Sequence, residues 1–375
     1  MNFRFFVLWI TIFLVANALT CARFRISHLS PETLLSLPLG PDGAEYPVQN
    51  GAIYSLPRSV AVIENWFVIA EPSQEVIKIF NGRKLNLKLV SKGWAEKKSQ
   101  RKEEGSKEAD RVKVLVSDIL RIPGRLVAGK DEDFFVENFT PPTTTSAGEI
   151  VMGGVYRILH YDLTGKVLHT IGRKGQLELP FENILWMDTD SEGNLWVLYS
   201  HLEQLYLDQY HKGKVVREFT QKDCEDALFV DLAKEKGLLY RCEFIYPFYE
   251  GKRVLYIGRV DRLIRDAERT NYQFFYRTLA AVDFKGNKEI IFSRLNDPDD
   301  YPYLPFGASQ LLLWQTIDYQ KVRLAVYNLS GELLNNLQIE YDGRHSDWRS
   351  TYMTLSGEIY SLKIRDQSFN LVRWK

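Results

Sequence analysis

The chain has little of several residue types that mark particular classes of protein. Only three of its 375 residues are cysteine and six are histidine, and no two histidines have the spacing of a zinc site. Its 48 basic residues are balanced by 48 acidic ones, so no excess positive charge is available for nucleic-acid phosphates. The sequence also lacks a phosphate-binding glycine loop and a Gly-x-Ser-x-Gly nucleophile motif. These absences argue against nucleic-acid binding, zinc chemistry, and nucleotide-dependent or serine-hydrolase catalysis.

Long hydrophobic runs are absent except at the start of the chain. Residues 1–20, MNFRFFVLWITIFLVANALT, combine Arg4 with an apolar segment of about 15 residues, shorter than the ~20 of a spanning helix. We interpret residues 1–20 as a cleaved secretory signal peptide. Two cleavage sites compete. Ala16-Asn17-Ala18 fits ordinary signal peptidase, whereas Ala18-Leu19-Thr20-Cys21 resembles the lipobox of bacterial lipoproteins, in the relaxed form typical of spirochaetes.

The lipobox resemblance implies that the Cys21 thiol carries a lipid. It places the protein at the bacterial envelope, in the periplasm or at the outer-membrane face, whereas ordinary cleavage makes it a secreted protein. Cys224 and Cys242 then remain as an even pair in an exported protein, for which a disulfide is one alternative. If residues 230–244 form a hairpin, Cys224 lies about four residues out of register with Cys242. This pattern favours two unpaired, buried cysteines.

The body of the chain repeats a hairpin pattern in which apolar and aromatic residues alternate about a polar turn. Six segments show it: 60–72, 126–139, 187–200, 230–244, 306–317 and 352–364. A second hairpin follows most of them, at 79–90, 161–172, 209–220, 282–293 and 327–338. Its turns contain Gly82, Gly165, Gly213, Gly286 and Gly331, which supply the positive φ that tight hairpins require.

Two hairpins make a four-stranded sheet, and a series of such sheets is the signature of a β-propeller. Without three apparent insertions, the chain from Thr33 onwards allows about 45 residues for each of six blades. The last blade lacks an outer strand at the C-terminus, where residues 368–375 supply only a third strand. Residues 33–37, TLLSL, have the outer-strand pattern. We therefore predict an all-β, six-bladed propeller of residues 21–375 in which an N-terminal strand completes the C-terminal blade.

Residues 161–199 carry a family resemblance. The outer hairpin, an Ile-Gly-x-x-Gly link, Leu179-Pro180 and the run Asp-x-Asp-x-x-Gly-Asn-Leu-Trp-Val resemble the repeat of six-bladed propellers of the NHL and TolB-like type. Apolar-Pro links at 56–57, 122–123 and 304–305 extend the resemblance over most of the chain. The resemblance is specific for the fold, and this architecture carries many unrelated activities.

Ligand sites of propellers usually lie at one mouth of the central channel, near the start of each innermost strand. The sequence places Arg58, Arg125 and Arg349 there, together with Glu182 and Asp226. Three arginines at one mouth would favour an anionic group, because each offers a two-pronged set of donors to carboxylate or phosphate. Rim charges that are solvated or paired with one another are the other interpretation.

An enzymatic alternative rests on resemblance to gluconolactonase-like propellers, which hold a divalent cation in the channel through Glu, Asn and Asp. Glu182, Asn183 and Asp226 have the required side-chain types, and their oxygens suit Ca²⁺. Neighbouring strand residues point to opposite faces, however, so Glu182 and Asn183 fit one site poorly. Asp188, Asp190, Gly193 and Asn194 are expected to form a turn.

Three insertions distinguish the blades. Residues 91–112 are rich in both charges and predict a mobile loop, while residues 138–153 combine Pro-Pro with a threonine run. Residues 244–275 are different, because they are rich in Tyr and Phe, which are common in binding hot spots. The partner-binding candidates there are Tyr246, Phe248, Tyr249 and Tyr272. Packing of these aromatics inside an elongated blade is the alternative.

These features favour a binding or scaffold module, attached to the envelope by its N-terminal lipid, with an envelope protein or small ligand as its partner. No cofactor is expected in that case. The alternative is a lactonase-like propeller hydrolase with Ca²⁺ or another divalent cation in the channel.

Overall fold

The structure is a computed structural model that describes residues 26–38, 48–49, 52–53, 59–100, 112–144, 150–152, 154–230, 237–248, 252–265, 270–296, 301–306, 310–318, 321–328, 330–340, 351–365 and 368–375. Its strands are β1 (Ile26–His28), β2 (Pro31–Pro38), β3 (Val48–Gln49), β4 (Ala52–Ile53), β5 (Val60–Ile63), β6 (Trp66–Glu71), β7 (Val76–Asn81), β8 (Lys84–Ser91), β9 (Lys113–Ser117), β10 (Ile122–Ala128), β11 (Asp133–Thr140), β12 (Thr143–Thr144), β13 (Ile150–Met152), β14 (Val155–Asp162), β15 (Val167–Ile171), β16 (Asn183–Thr189), β17 (Leu195–His201), β18 (Gln204–His211), β19 (Lys214–Thr220), β20 (Leu238–Phe248), β21 (Arg253–Arg265), β22 (Thr270–Asp283), β23 (Lys288–Leu295), β24 (Tyr301–Phe306), β25 (Gln310–Asp318), β26 (Lys321–Asn328), β27 (Leu333–Glu340), β28 (Thr351–Met353), β29 (Ile359–Arg365) and β30 (Ser368–Trp374). The helices are α1 (Lys92–Gln100) and α2 (Gln221–Phe229).

These strands form six antiparallel blades arranged in a ring, which is the six-bladed β-propeller predicted from the sequence. From the centre outwards, blade one is β5-β6-β7-β8, blade two is β10-β11-β14-β15, and blade three is β16-β17-β18-β19. Blade four is β20-β21-β22-β23, blade five is β24-β25-β26-β27, and blade six is β28-β29-β30-β2. Blades three and six therefore lie opposite each other in the ring.

The outer-hairpin turns are confirmed at the residue level. Gly82, Gly165, Gly213, Gly286 and Gly331 all have positive φ, between 54° and 88°. Residues with a Cβ avoid this region, so the glycines fix the position of each turn. The turn at Gly165, for example, is closed by a hydrogen bond from its own N–H to the Asp162 carbonyl, 3.0 Å long.

The predicted closure of the ring is also confirmed. β2 pairs antiparallel with β30, with Leu37 opposite Phe369. Leu35, Leu37 and Phe369 are all fully buried, so the N-terminal strand contributes to the core of blade six. At the edge of this pair, Arg373 Nη2 lies 2.7 Å from Glu32 Oε2. The two ends of the chain thus complete one sheet, which leaves no break in the ring.

Paired hydrogen bonds join neighbouring innermost strands. Ser59 Oγ donates to the Leu126 carbonyl at 2.6 Å and accepts from the Leu126 N–H at 2.8 Å, which links blade one to blade two. The Tyr352 hydroxyl donates to the Val60 carbonyl at 3.0 Å, and the Val60 N–H lies 3.2 Å from the same hydroxyl. Blade six is therefore joined to blade one by more than apolar packing.

Two blades carry a fifth strand on their outer edge. β9 pairs parallel with β8 in blade one, and β1 pairs parallel with β27 in blade five. The segment 91–112, expected as a loop, begins with helix α1, which precedes β9. In the segment 138–153, β12 pairs with β13. Neither described helix is long and apolar enough to cross a membrane.

Blade four differs from the sequence prediction. Residues 221–229 form α2, because Thr220 caps the helix: its hydroxyl accepts from the Asp223 N–H, and the Asp223 carboxylate accepts from the Thr220 N–H. Residues 230–244 are therefore not the first hairpin of the blade. That hairpin is β20-β21, and the segment 244–275, which the sequence indicates as an insertion, lies in the lengthened strands β20, β21 and β22.

The helix also changes the cysteine pairing. Cys224 lies on α2 and Cys242 on β20, with their Cα atoms 6.0 Å apart, and the two form a disulfide. The hairpin-based expectation of two unpaired cysteines is wrong, because α2 folds back over the sheet instead of continuing the strand. Phe229 and Leu228 of α2 pack directly on Gly258 of β21, where an added Cβ would lie 2.4 Å and 2.7 Å from them.

Candidate functional site

The lower face is defined here as the face of the ring at which the innermost strands begin. Of the three arginines expected at this mouth, Arg58 and Arg349 lie outside the described residues. Arg125 lies in the bulge of β10. Its N–H donates to Glu137 Oε2 at 3.2 Å. A three-arginine cluster at the channel mouth therefore stays a prediction.

Glu182 and Asp226 lie on different elements of the lower face. Glu182 precedes β16, and its Oε1 lies 2.6 Å from His201 Nδ1. Burial raises the pKa of Glu182, but the hydrogen bonds from His201 and from the Leu202 N–H outweigh it and leave the pKa below its usual value. Asp226 is exposed on α2. Within the described part of the chain, no group of three His, Cys, Asp or Glu side chains could hold a metal ion.

The central channel is bridged near the far ends of the innermost strands. Asp188 of β16 accepts the Leu355 N–H of the β28-β29 turn at 2.7 Å, although the two residues are 167 positions apart and lie on opposite blades. Its second oxygen accepts the Thr189 N–H at 2.8 Å. Burial raises the pKa of Asp188 to about 7, against the opposing effects of these two donors and of Arg125. The sequence interpretation assigned Asp188 only to a turn and missed this contact.

Asp190, two residues further on, has a structural role, as expected for the turn. Its carboxylate accepts hydrogen bonds from the Asn194 N–H at 2.9 Å, from Trp196 Nε1 at 2.9 Å and from Gln209 Nε2 at 3.0 Å. The carboxylate therefore joins the β16-β17 turn to β17 and β18. A buried carboxylate with this many donors fixes local structure.

The aromatic candidates of blade four separate into a buried and an exposed group. Tyr246 is only 7% exposed and Phe248 1% exposed, and Tyr246 contacts Trp186 edge to face at 5.6 Å between ring centroids. Both belong to the core, so their assignment as exposed partner-binding residues is corrected: residues 245–248 are all buried, which means that both faces of this end of β20 are covered. Tyr249 lies outside the described residues. Tyr272 is 55% exposed and is available to a partner.

A row of three arginines crosses the same blade. Arg241, Arg259 and Arg277 lie directly opposite one another on β20, β21 and β22. Arg241 Nη2 lies 3.1 Å from Asp261 Oδ2, and Arg259 Nε lies 2.8 Å from Asp261 Oδ1. Arg277 Nε lies 2.7 Å from Glu243 Oε2. Each arginine of the row is therefore paired with a carboxylate, and Asp261 pairs with two of them.

Two consecutive phenylalanines beside a β-bulge lie on opposite faces of blade four. The register of β21 and β22 shifts between Val260 and Asp261, which leaves Phe275 as the extra residue. The guanidinium groups of Arg259 and Arg277 lie 5.4 Å and 5.0 Å from the Phe274 ring centroid. On the other face, the Arg262 guanidinium lies 3.9 Å and that of Arg294 6.0 Å from the Phe275 ring centroid. These arginines and rings would have been hard to find from the sequence, because the bulge decides which residues share a face.

Comparisons with known proteins give a fold likeness only. No protein-family model matches the sequence, and no curated protein matches it. Among solved structures, the WD40 domain of coronin from Toxoplasma gondii is 10% identical, over 93% of this chain and 87% of that chain, with a TM-score of 0.40. A luciferin-regenerating enzyme is 10% identical over 92% and 95%, with a TM-score of 0.40. Virginiamycin B lyase from Staphylococcus aureus is 9% identical over 92% and 99%, with a TM-score of 0.39.

Proposed function

We propose that this chain is a binding or scaffold module and that it binds a protein partner through the lower end of blade four. The observation that carries the proposal is the projecting β21-β22 hairpin with its exposed Tyr272. β20, β21 and β22 contain 11, 13 and 14 residues, whereas the corresponding strands of blade three contain seven, seven and eight. The additional length serves no purpose in closing the ring.

The register shows where the additional length lies. β20 begins at Leu238, which pairs with Arg262, so the last residues of β21 extend beyond the first residue of β20. On the other side, pairing of β22 with β23 ends at Arg277 and Leu295. The β21-β22 hairpin therefore extends past both neighbouring strands at the lower face. A two-stranded projection with an exposed tyrosine is suited to recognition of another protein.

The proposal includes export and a lipid anchor at Cys21. Cys21 precedes β1 by five positions, and a chain of that length spans at most about 17 Å. β1 lies on the outer edge of blade five, so the anchor would hold the propeller close to the membrane surface.

The metal-dependent hydrolase alternative has no specific support in the geometry. Glu182 is engaged by His201, and Asp226 lies exposed on α2, a different element. The contact between Asp188 and Leu355 also occupies the channel at its other end. The binding function therefore accounts for more of the individual features of the chain.

Crosslinking of the full chain in its own envelope, followed by mass spectrometry, tests the proposal. The wild type and Leu334→Ala, which changes a similarly exposed apolar residue of blade five, should retain one partner in near-equal amount. Tyr272→Ala should lose most of it, and Cys21→Ala should release the protein from the membrane fraction. Equal retention by Tyr272→Ala, or turnover that needs a divalent metal and is lost in Glu182→Gln, would contradict the proposal.

A further inference from the structure

The projecting hairpin has a strand edge that nothing in the described part of the chain covers. Among the described residues, β22 pairs only with β21 from Thr270 to Phe275, because β23 joins it from Arg277 onwards. An edge of this kind presents unpaired backbone donors and acceptors to another chain.

The direction of these groups follows from a single hydrogen bond. The Leu263 N–H donates to the Gly237 carbonyl at 2.7 Å, so the backbone groups of Leu263 point towards β20. Tyr272 lies directly opposite Leu263 in the antiparallel pair. The backbone N–H and C=O groups of two opposite residues either bond to each other or both point away from the partner strand. The N–H and C=O of Tyr272 therefore point outwards, to the open edge.

Unpaired positive charge lies beside this edge. Arg262 and Arg294 are both exposed, and among the described residues neither forms an ion pair with a carboxylate, in contrast to the arginine row on the other face. Both guanidinium groups lie near the ring of Phe275, and that of Arg294 also lies 4.8 Å from the ring centroid of Tyr276. A guanidinium held against a ring keeps its N–H groups available at its rim, where they suit a carboxylate.

We propose that an extended, acidic segment of the partner protein adds to the Thr270–Phe275 edge as a further strand, with its carboxylates bound by Arg262 and Arg294. Alternate residues of the added strand share one face, so acidic side chains at every second position would meet the two arginines. The fold already uses strand addition in blades one and five, where β9 and β1 cover the outer edges. This inference rests on the proposed binding function and specifies the chemistry of the partner.

Fluorescence polarisation with the full chain and labelled peptides tests this inference. A peptide of alternating Glu and Thr should bind, with affinity that falls as salt is raised, and a peptide of alternating Lys and Thr should not. The double variant Arg262→Ala/Arg294→Ala should weaken binding of the Glu-Thr peptide about tenfold or more. The matched control Arg83→Ala/Lys84→Ala removes two exposed charges from blade one and should leave binding unchanged.

A second pair of variants separates the contribution of the backbone N–H to peptide binding from that of the tyrosine ring. Tyr272→Ala removes the ring alone, whereas Tyr272→Pro also removes the outward N–H, so it should bind the Glu-Thr peptide several-fold more weakly than Tyr272→Ala. Melting temperatures close to that of the wild type show that each variant is folded. Absence of binding by the wild type, equal binding of the Lys-Thr peptide, or equal affinity of the two Tyr272 variants would overturn the inference.

Failure of this inference can be distinguished from failure of the proposed function. If the envelope partner depends on Tyr272 but is captured equally by Arg262→Ala/Arg294→Ala, the binding function stands and the acidic-segment inference falls. If capture does not depend on Tyr272, the proposed function itself falls.

Discussion

Asp188→Asn provides a direct test of the contact that bridges the channel. Burial gives the Asp188 carboxyl a pKa of about 7 in the folded protein, against an ordinary value of 3.8. Between these two values the folded protein holds a proton that the unfolded chain has released. The contribution of Asp188 to the free energy of unfolding is therefore fully present near pH 4, is lost progressively as pH rises, and changes no further above about pH 7.

The expected magnitude follows from the size of the shift. Each pH unit between the two pKa values is worth about 1.4 kcal/mol, and the whole interval is worth on the order of 4 kcal/mol. The amide introduced by Asp188→Asn cannot titrate, so the free energy of unfolding of the wild type minus that of the variant should fall by this amount from pH 4 to pH 7. Loss of one of the two accepted N–H bonds adds a pH-independent offset of about 1 kcal/mol, which leaves the slope unaffected.

Urea unfolding of both proteins at intervals from pH 4.5 to pH 8.5 measures the difference. Asp283→Asn is the matched control, because the hydrogen bonds from Asn287 lower the pKa of this exposed carboxyl. This substitution should therefore change the pH dependence of the free energy of unfolding only at more acidic pH. A difference between the wild type and Asp188→Asn that is flat or rises between pH 4.5 and pH 7 would refute the reasoning. It would mean that the donors from Thr189 and Leu355, with Arg125, keep the carboxylate ionised at all these pH values.

Three further predictions concern the fold. Cys224→Ser/Cys242→Ser should lower the free energy of unfolding by about 3 kcal/mol, because the disulfide closes a loop with a sequence separation of 18. The wild type under reducing conditions should unfold at the same urea concentration as the variant. A urea midpoint that the double substitution leaves unchanged would contradict this prediction. Gly258→Ala should destabilise the protein by about 1–3 kcal/mol in thermal unfolding, since the new Cβ would clash with α2. The control Gly93→Ala in α1 should have little effect. Equal destabilisation by the two substitutions would argue against the packing of α2 on Gly258. Deletion of 368–375 should abolish cooperative unfolding, as followed by circular dichroism, because it removes the strand between β29 and β2. A truncated protein that melts like the full chain would refute that role.

Part of the candidate site was predictable and part was not. The sequence placed Tyr272 among the aromatic candidates because its segment is rich in Tyr and Phe, and the Tyr272 side chain is exposed. It also selected Tyr246 and Phe248, which are buried, since composition does not show which face of a strand is covered. Arg262 and Arg294 carried no motif, and their positions near the Phe275 ring depend on the register shift between β21 and β22.

The sequence by itself determined the number of blades, the turns at Gly82 to Gly331 and the closure of blade six by residues 33–37. These three features depend on the period-two alternation of strands or on the positive φ that glycine adopts readily. Both signals are local and can be recognised within about a dozen residues of sequence. Only the tertiary structure decided the contact of Asp188 with Leu355, the Cys224–Cys242 disulfide and the position of the two arginines beside an open edge. These contacts join separate elements, and their partners depend on how the ring closes, where α2 folds back and where a bulge shifts the register.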